Sequence, residues 1–183
     1  MVAQDYEDYV DEDYDDYADV DDDETEVAEE TVSWTHWVQA EPFRAWLGHL
    51  TAATGMEPLA IGVAAGIPTG VARSLAGTGV RPRRIRAVDA VGLLALHPET
   101  LVASGQTLCD ARPVHLSLQE LRSFCPTADT LAHHLGVGVD TAQGLIDGWL
   151  DVCQLSTAWR CIALANQITY ERAYRRSDLA KAA

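Results

Sequence analysis

The stretch LAIGVAAGIPTGVARSLAGTG, residues 59–79, decides how this chain reads, because DTLAHHLGVGVDTAQGLIDGW, residues 129–149, repeats its frame 70 positions later. Gly62, Ala65, Gly66, Ile67, Ala72 and Leu75 become Ala132, Leu135, Gly136, Val137, Ala142 and Leu145. The same offset carries Ile85 onto Leu155, Leu94 onto Leu164 and Ala95 onto Ala165. Each set has the buried side of a helix-turn-helix: a small residue for close helix approach, a glycine turn, then apolar plugs. Two matches at one spacing make an internal repeat.

The surrounding sequence extends both units as helices. Trp34, Trp37 and Val38 sit at i, i+3, i+4, which predicts a short helix capping the core. Pro42 suits the first turn of a helix with Phe43, Trp46, Leu47 and Leu50 on one stripe, ended by Gly55. Pro58 opens a helix to about residue 65, and Thr69 begins the predicted recognition helix, 69–76. A basic connector from Val80 to Ile85 leads to a helix near 87–96, with Val88, Val91, Leu94 and Ala95 expected to face inward. Pro98 starts a short helix, and residues 104–116 read as a linker. The second unit follows as helices at 118–124, 128–135, 139–150 and 156–176. No long alternating pattern appears, so the expected body is all-α. Two tri-helical units lie in tandem, 33–105 and 106–183, with a long C-terminal helix.

The formal charge of −15 is unevenly placed. Residues 1–30 hold 16 of the 28 acidic groups and no Lys or Arg, while residues 31–183 hold 12 acidic and 13 basic groups. The tract 1–31 is expected to be a disordered acidic tail, because like charges repel and little can be buried. Its tyrosines at 6, 9, 14 and 17 admit three readings: a solvated tail, anchors for a protein partner, or a cover competing with DNA for a basic surface. No apolar run is long enough for a bilayer and no basic-then-apolar leader opens the chain, so a cytoplasmic, nucleoid-associated protein without membrane contact is expected. Cys109, Cys125, Cys153 and Cys161 form no C-x-x-C pair. His133 and His134 near Cys125 admit a metal site, against reduced core cysteines and surface histidines. No cofactor and no metal is expected.

Helix-turn-helix proteins set their second helix in the major groove, with side chains near its N-terminal end on base edges. Thr69, Gly70, Arg73 and Ser74 hold those positions, and the planar fork of Arg73 suits a guanine. Arg81, Arg83, Arg84 and Arg86 follow within six residues, placed to hold flanking phosphates or the minor groove. At the 70-residue offset Gly70 becomes Asp140, Arg73 becomes Gln143, Arg81 becomes Asp151, Arg83 becomes Cys153, Arg84 becomes Gln154 and Arg86 becomes Ser156. The second unit keeps the frame and loses the cations. In YERAYRR, residues 170–176, Tyr170 and Tyr174 are expected to face the body, with Arg172, Arg175 and Arg176 as a basic rim. No phosphate loop, nucleophile elbow or zinc-protease signature occurs, and catalysis is not expected.

The order G-(I/V)-x-x-x-x-A-x-x-L, met at Gly66–Leu75, then Arg83-Arg84-Ile85-Arg86, then the helix AVDAVGLLAL, resembles tandem helix-turn-helix proteins common in actinobacteria and their phages. The likeness covers residues 43–103, and residues 117–168 for the apolar frame alone. It implies sequence-specific binding of double-stranded DNA and transcriptional regulation, and it extends to Thr69, Arg73, Arg83, Arg84 and Arg86. The competing reading is a protein-interaction adaptor or DNA mimic, in which the helical body and acidic tail bind a protein. In either reading the second unit is available for a protein partner or a homodimer.

Overall fold

In the computed structural model, which describes residues 36–124 and 127–182 with side chains to Ala173, the repeat is built as a strand, three helices, a strand and a further helix, twice over. The first unit runs β1 (Trp37–Gln39), α1 (Glu41–Thr54), α2 (Pro58–Ala64), α3 (Thr69–Leu75), β2 (Arg84–Arg86) and α4 (Ala87–Leu94), followed by α5 (Pro98–Gln106). The second runs β3 (Leu108–Asp110), α6 (Arg112–Leu121), α7 (Ala128–Leu135), α8 (Val139–Asp147), β4 (Val152–Gln154) and α9 (Leu155–Ala182). The expected all-α class holds, with two short antiparallel ribbons added. The acidic tail 1–31 and Trp34 lie outside the described residues.

Local chemistry sets most of the helix ends. Pro42, Pro58 and Pro98 stand in first turns, where a missing N–H costs nothing. Gly66 and Gly136 turn each α2–α3 and α7–α8 corner at φ 68° and 66°, a left-handed conformation costly for any side chain with a Cβ. Thr127 caps α7 by accepting from the Thr130 N–H at 3.3 Å.

Three expectations are corrected. Trp37 and Val38 belong to a strand, with β1 pairing β2 as Trp37↔Arg86, Val38↔Ile85 and Gln39↔Arg84. The presumed linker 104–116 instead carries β3 and the start of α6. Helix α4 shows the opposite face: Ala87, Asp89, Ala90 and Leu93 are buried, while Val88, Val91, Leu94 and Ala95 are exposed.

The constant offset also gives way outside the helix-turn-helix. The Ala40 N–H donates to the Arg83 carbonyl at 3.0 Å, and the Ala111 N–H donates to the Asp151 carbonyl at 2.9 Å. The Ala87 N–H donates to His36, as the Leu155 N–H does to Thr107, each at 2.8 Å. These paired bonds align Arg83 with Asp151, Arg84 with Val152, Ile85 with Cys153 and Arg86 with Gln154, an offset of 68 from the second strand onward. Leu93 and Cys161, both fully buried, are then equivalent, as are Asp89 and Thr157, the two buried polar residues among those described. The loop between α8 and β4, residues 148–151, is shorter than its counterpart, residues 76–83, by more than α8 (9 residues) outruns α3 (7 residues), and the difference shifts the frame.

Two hydrophobic cores result within one compact unit. One is built on Leu47, Leu50, Ile61, Ala72, Leu75 and Leu93, the other on Val114, Leu118, Leu131, Leu135, Leu145 and Cys161. Helix α9 joins them: Trp159 packs on the first core, while Ala158, Cys161, Leu164 and Ile168 belong to the second. The helix lies against α2, α3 and α5 as well as α6 and α7. Among the described residues no helix is long and apolar enough to cross a membrane.

Candidate nucleic-acid interface

Strand alternation sorts the first ribbon into two faces. Ile85 and Val38 turn toward the core, with Ile85 buried. Trp37, Gln39, Arg84 and Arg86 turn outward, and Trp37 is 60% exposed. The register sets Trp37 directly across from Arg86, with Arg84 two residues along on the same face. A concave surface of about 310 Å³ then joins this ribbon to the helix beside it, lined by Gly70 and Ser74 from α3 and by Trp37, Arg84 and Arg86. The second helix of the turn and the ribbon thus share one wall.

Arg86 is held in place. Its Nε and Nη2 donate to the two carboxylate oxygens of Asp89 at 3.1 and 3.2 Å, one turn into α4. The hydrogen bond and the charge of Asp89 raise the pKa of the guanidinium above its ordinary value. Asp89 is only 4% exposed, which accounts for a carboxylate on the inward face of α4: it is paired with a cation at the rim. Arg84 makes no ion pair among the described residues. The connector before it is fixed from beneath, because Nη2 of the half-buried Arg44 on α1 donates to the Pro82 carbonyl at 3.2 Å.

The structure divides the eight residues expected to contact DNA. Gly70, Ser74, Arg84 and Arg86 line the helix–ribbon surface. Thr69 is half-buried at the start of α3, and Arg83 is exposed on the connector. Arg81 is exposed but lines a separate groove, with Arg44, Gly48 and Gly77 on the α1 side. Arg73 is turned the other way. Its guanidinium lies 4.9 Å from the Tyr170 ring centroid and 3.6 Å from a Glu171 carboxylate oxygen, both on α9, and its side chain is 19% exposed. A guanine contact by Arg73 therefore requires releasing it from α9. Trp37 is the outward residue missed by helical periodicity; its signal is register in a strand pair only three residues long.

The equivalent wall of the second unit is chemically inverted. The outward ribbon positions are Leu108, Asp110, Val152 and Gln154. Ser74 has become the buried Gly144, and Leu150 lies over it: a Cβ added there would meet the Leu150 side chain at 3.1 Å. The concavity beside the helix is filled, and Asp140 stands where Gly70 stood. Gln143 donates to Asp147 at 2.7 Å along the outer face of α8. His133 and His134 meet edge to face at 6.0 Å, and no metal-ligating cluster occurs among the described residues; Cys125 lies outside them.

Comparison with protein-family models, with curated proteins and with solved structures finds no match to this chain.

Proposed function

We propose that this chain is a non-enzymatic regulator, acting on transcription, that binds double-stranded DNA through its first unit in the nucleoid-containing cytoplasm. The observation that supports this best is the wall shared by α3 and the outward face of the first ribbon, cationic in this unit alone. The N-terminal end of α3, with Thr69, Gly70 and Ser74, enters the major groove. Arg83 and Arg84 hold phosphates beside it, while Arg86, aimed by Asp89, and the broad face of Trp37 meet the sugar–phosphate wall. Phosphate contacts supply affinity and register; the small α3 surface supplies the sequence reading. Selection of bound sequences from a random duplex pool with the full chain tests this. Convergence on a short motif is the expected result, and no retention of duplex even at low salt overturns it.

A second reading, a protein-interaction adaptor, draws on the engagement of Arg73 by α9 and on the second ribbon. Leu108 and Val152 are more than half exposed there, near Trp149 at 79%. Such aromatic and aliphatic surface suits a protein partner or a second copy. Co-purification of a stoichiometric protein, together with failure to retain DNA, favours it.

A further inference from the structure

The second ribbon holds two thiols directly opposite one another. Cys109 on β3 and Cys153 on β4 are register partners, and their sulfurs are 3.7 Å apart. The hydrogen bonds at the flanking pairs, Leu155 to Thr107 and Ala111 to Asp151, make the central pair a hydrogen-bonded one. In that class the Cα atoms stand about 5.5 Å apart, inside the range that a disulfide spans. The first unit has Val38 and Ile85 at the equivalent positions, so sulfur at both members of this pair is a departure from the repeat. Both cysteines are free thiols.

We propose that Cys109 and Cys153 form an oxidation site, closing to an intramolecular disulfide by exchange with a small disulfide of the glutathione class. The two thiols differ in access: Cys109 is half-buried, Cys153 only 7% exposed. Burial, reinforced by the hydrogen bond to Cys109, pushes the Cys153 thiol up to about 12. Cys109 is therefore the first nucleophile. Its thiolate attacks one sulfur of the glutathione disulfide, forming a mixed disulfide and expelling one glutathione thiolate, which takes up the Cys153 proton. The Cys153 thiolate then attacks the Cys109 sulfur of the mixed disulfide and expels the second glutathione. Two protein thiols are oxidised to one disulfide, and one glutathione disulfide is reduced to two thiols.

The bond closes a 44-residue span containing α6, α7 and α8, and it sits one residue before the Gln154–Leu155 junction where β4 runs into α9. It would staple the root of the helix that joins the two cores. Closing a loop of this length restricts the unfolded chain strongly, so the melting midpoint should rise by roughly 10 °C.

The test treats the full chain with excess oxidised glutathione and maps disulfides in an unreduced digest by mass spectrometry, with melting followed in parallel. A Cys109–Cys153 cross-link in a monomeric chain, a higher midpoint and reversal by dithiothreitol are expected. The Cys125→Ser variant should give the same link, and the half-buried Cys109→Ser should abolish both link and stabilisation. Glutathione left on Cys109 alone, a bond involving Cys125 or Cys161, a linkage between chains, or four unmodified thiols in the folded protein each overturn the proposal.

Discussion

Set side by side, the two ribbons show how one frame is given two surfaces. Each is three residues per strand, antiparallel, with a central pair of one buried and one half-buried residue, closed by the same flanking hydrogen bonds. The inward positions go from Val38 and Ile85 to the smaller thiols Cys109 and Cys153, and each centre still packs on its own core. The outward positions change in kind: Trp37, Gln39, Arg84 and Arg86 against Leu108, Asp110, Val152 and Gln154. Beside the first ribbon lies an open wall, and beside the second Leu150 fills the equivalent space over Gly144. Ala72 and Leu75 recur as Ala142 and Leu145 because packing penalises change at the buried helix-turn-helix corner, whereas an exposed position is free to take on or lose a cation at little cost to stability.

The sharpest break of this comparison is inside the cores. Leu75 and Leu145 are equivalent and fully buried. Leu75→Ala and Leu145→Ala should each cost about 2–5 kcal/mol in chemical denaturation. If one costs nothing, the two units do not share a packing plan.

The next effect is smaller and should be asymmetric. A Cβ on Gly62 would stand 2.6 Å from the Cβ of Ala72, while its counterpart Ala132 already carries one. Gly62→Ala should destabilise by about 1–3 kcal/mol through overpacking. A gain in stability would show that α2 and α3 have room to separate.

On the surface, Trp37→Ala should weaken duplex binding by roughly ten-fold, or about 1.4 kcal/mol, whereas Leu108→Ala should leave it within about two-fold. Titration of labelled duplex by anisotropy separates these, and equal losses would mean both ribbons touch DNA.

The smallest expected change is at Glu171, whose side chain is 44% exposed beside Arg73. An ion pair this open contributes little. Glu171→Gln should tighten duplex binding by less than about three-fold, on this scale of small surface pairs. A larger gain would show that α9 restrains α3 strongly.

Much of this frame was legible in the sequence, and the reasons are local. Pro58, Gly66 and Gly136 fix the corners, so α2, α3 and α7 fall within a residue of the sequence reading. The α8 helix is shorter than expected because Gly148 ends it at φ 74°. The strands escaped because three residues are too few for alternation, and their pairing joins segments far apart in sequence. The face of α4 was misread for a different reason. AVDAVGLLAL is apolar nearly all round, and its inward side carries Asp89, which no hydrophobic pattern would place inside. An offset of 70 sets Ile85 against Leu155, which match in character, whereas the matching hydrogen bonds of the two ribbons make Ile85 equivalent to Cys153. Arg83, Arg84 and Arg86 were visible as a cluster, but the capture of Arg73 by Tyr170 and Glu171 depends on a helix nearly 100 residues downstream.

The most direct test of the proposed DNA contact is the salt dependence of duplex binding by the full chain and by its Arg83→Glu/Arg84→Glu variant. If these guanidinium groups hold phosphates, the variant binds far more weakly, and the slope of log K against log salt flattens by about 0.9 for each lost contact. Equal affinity and equal slope in the two proteins would contradict it.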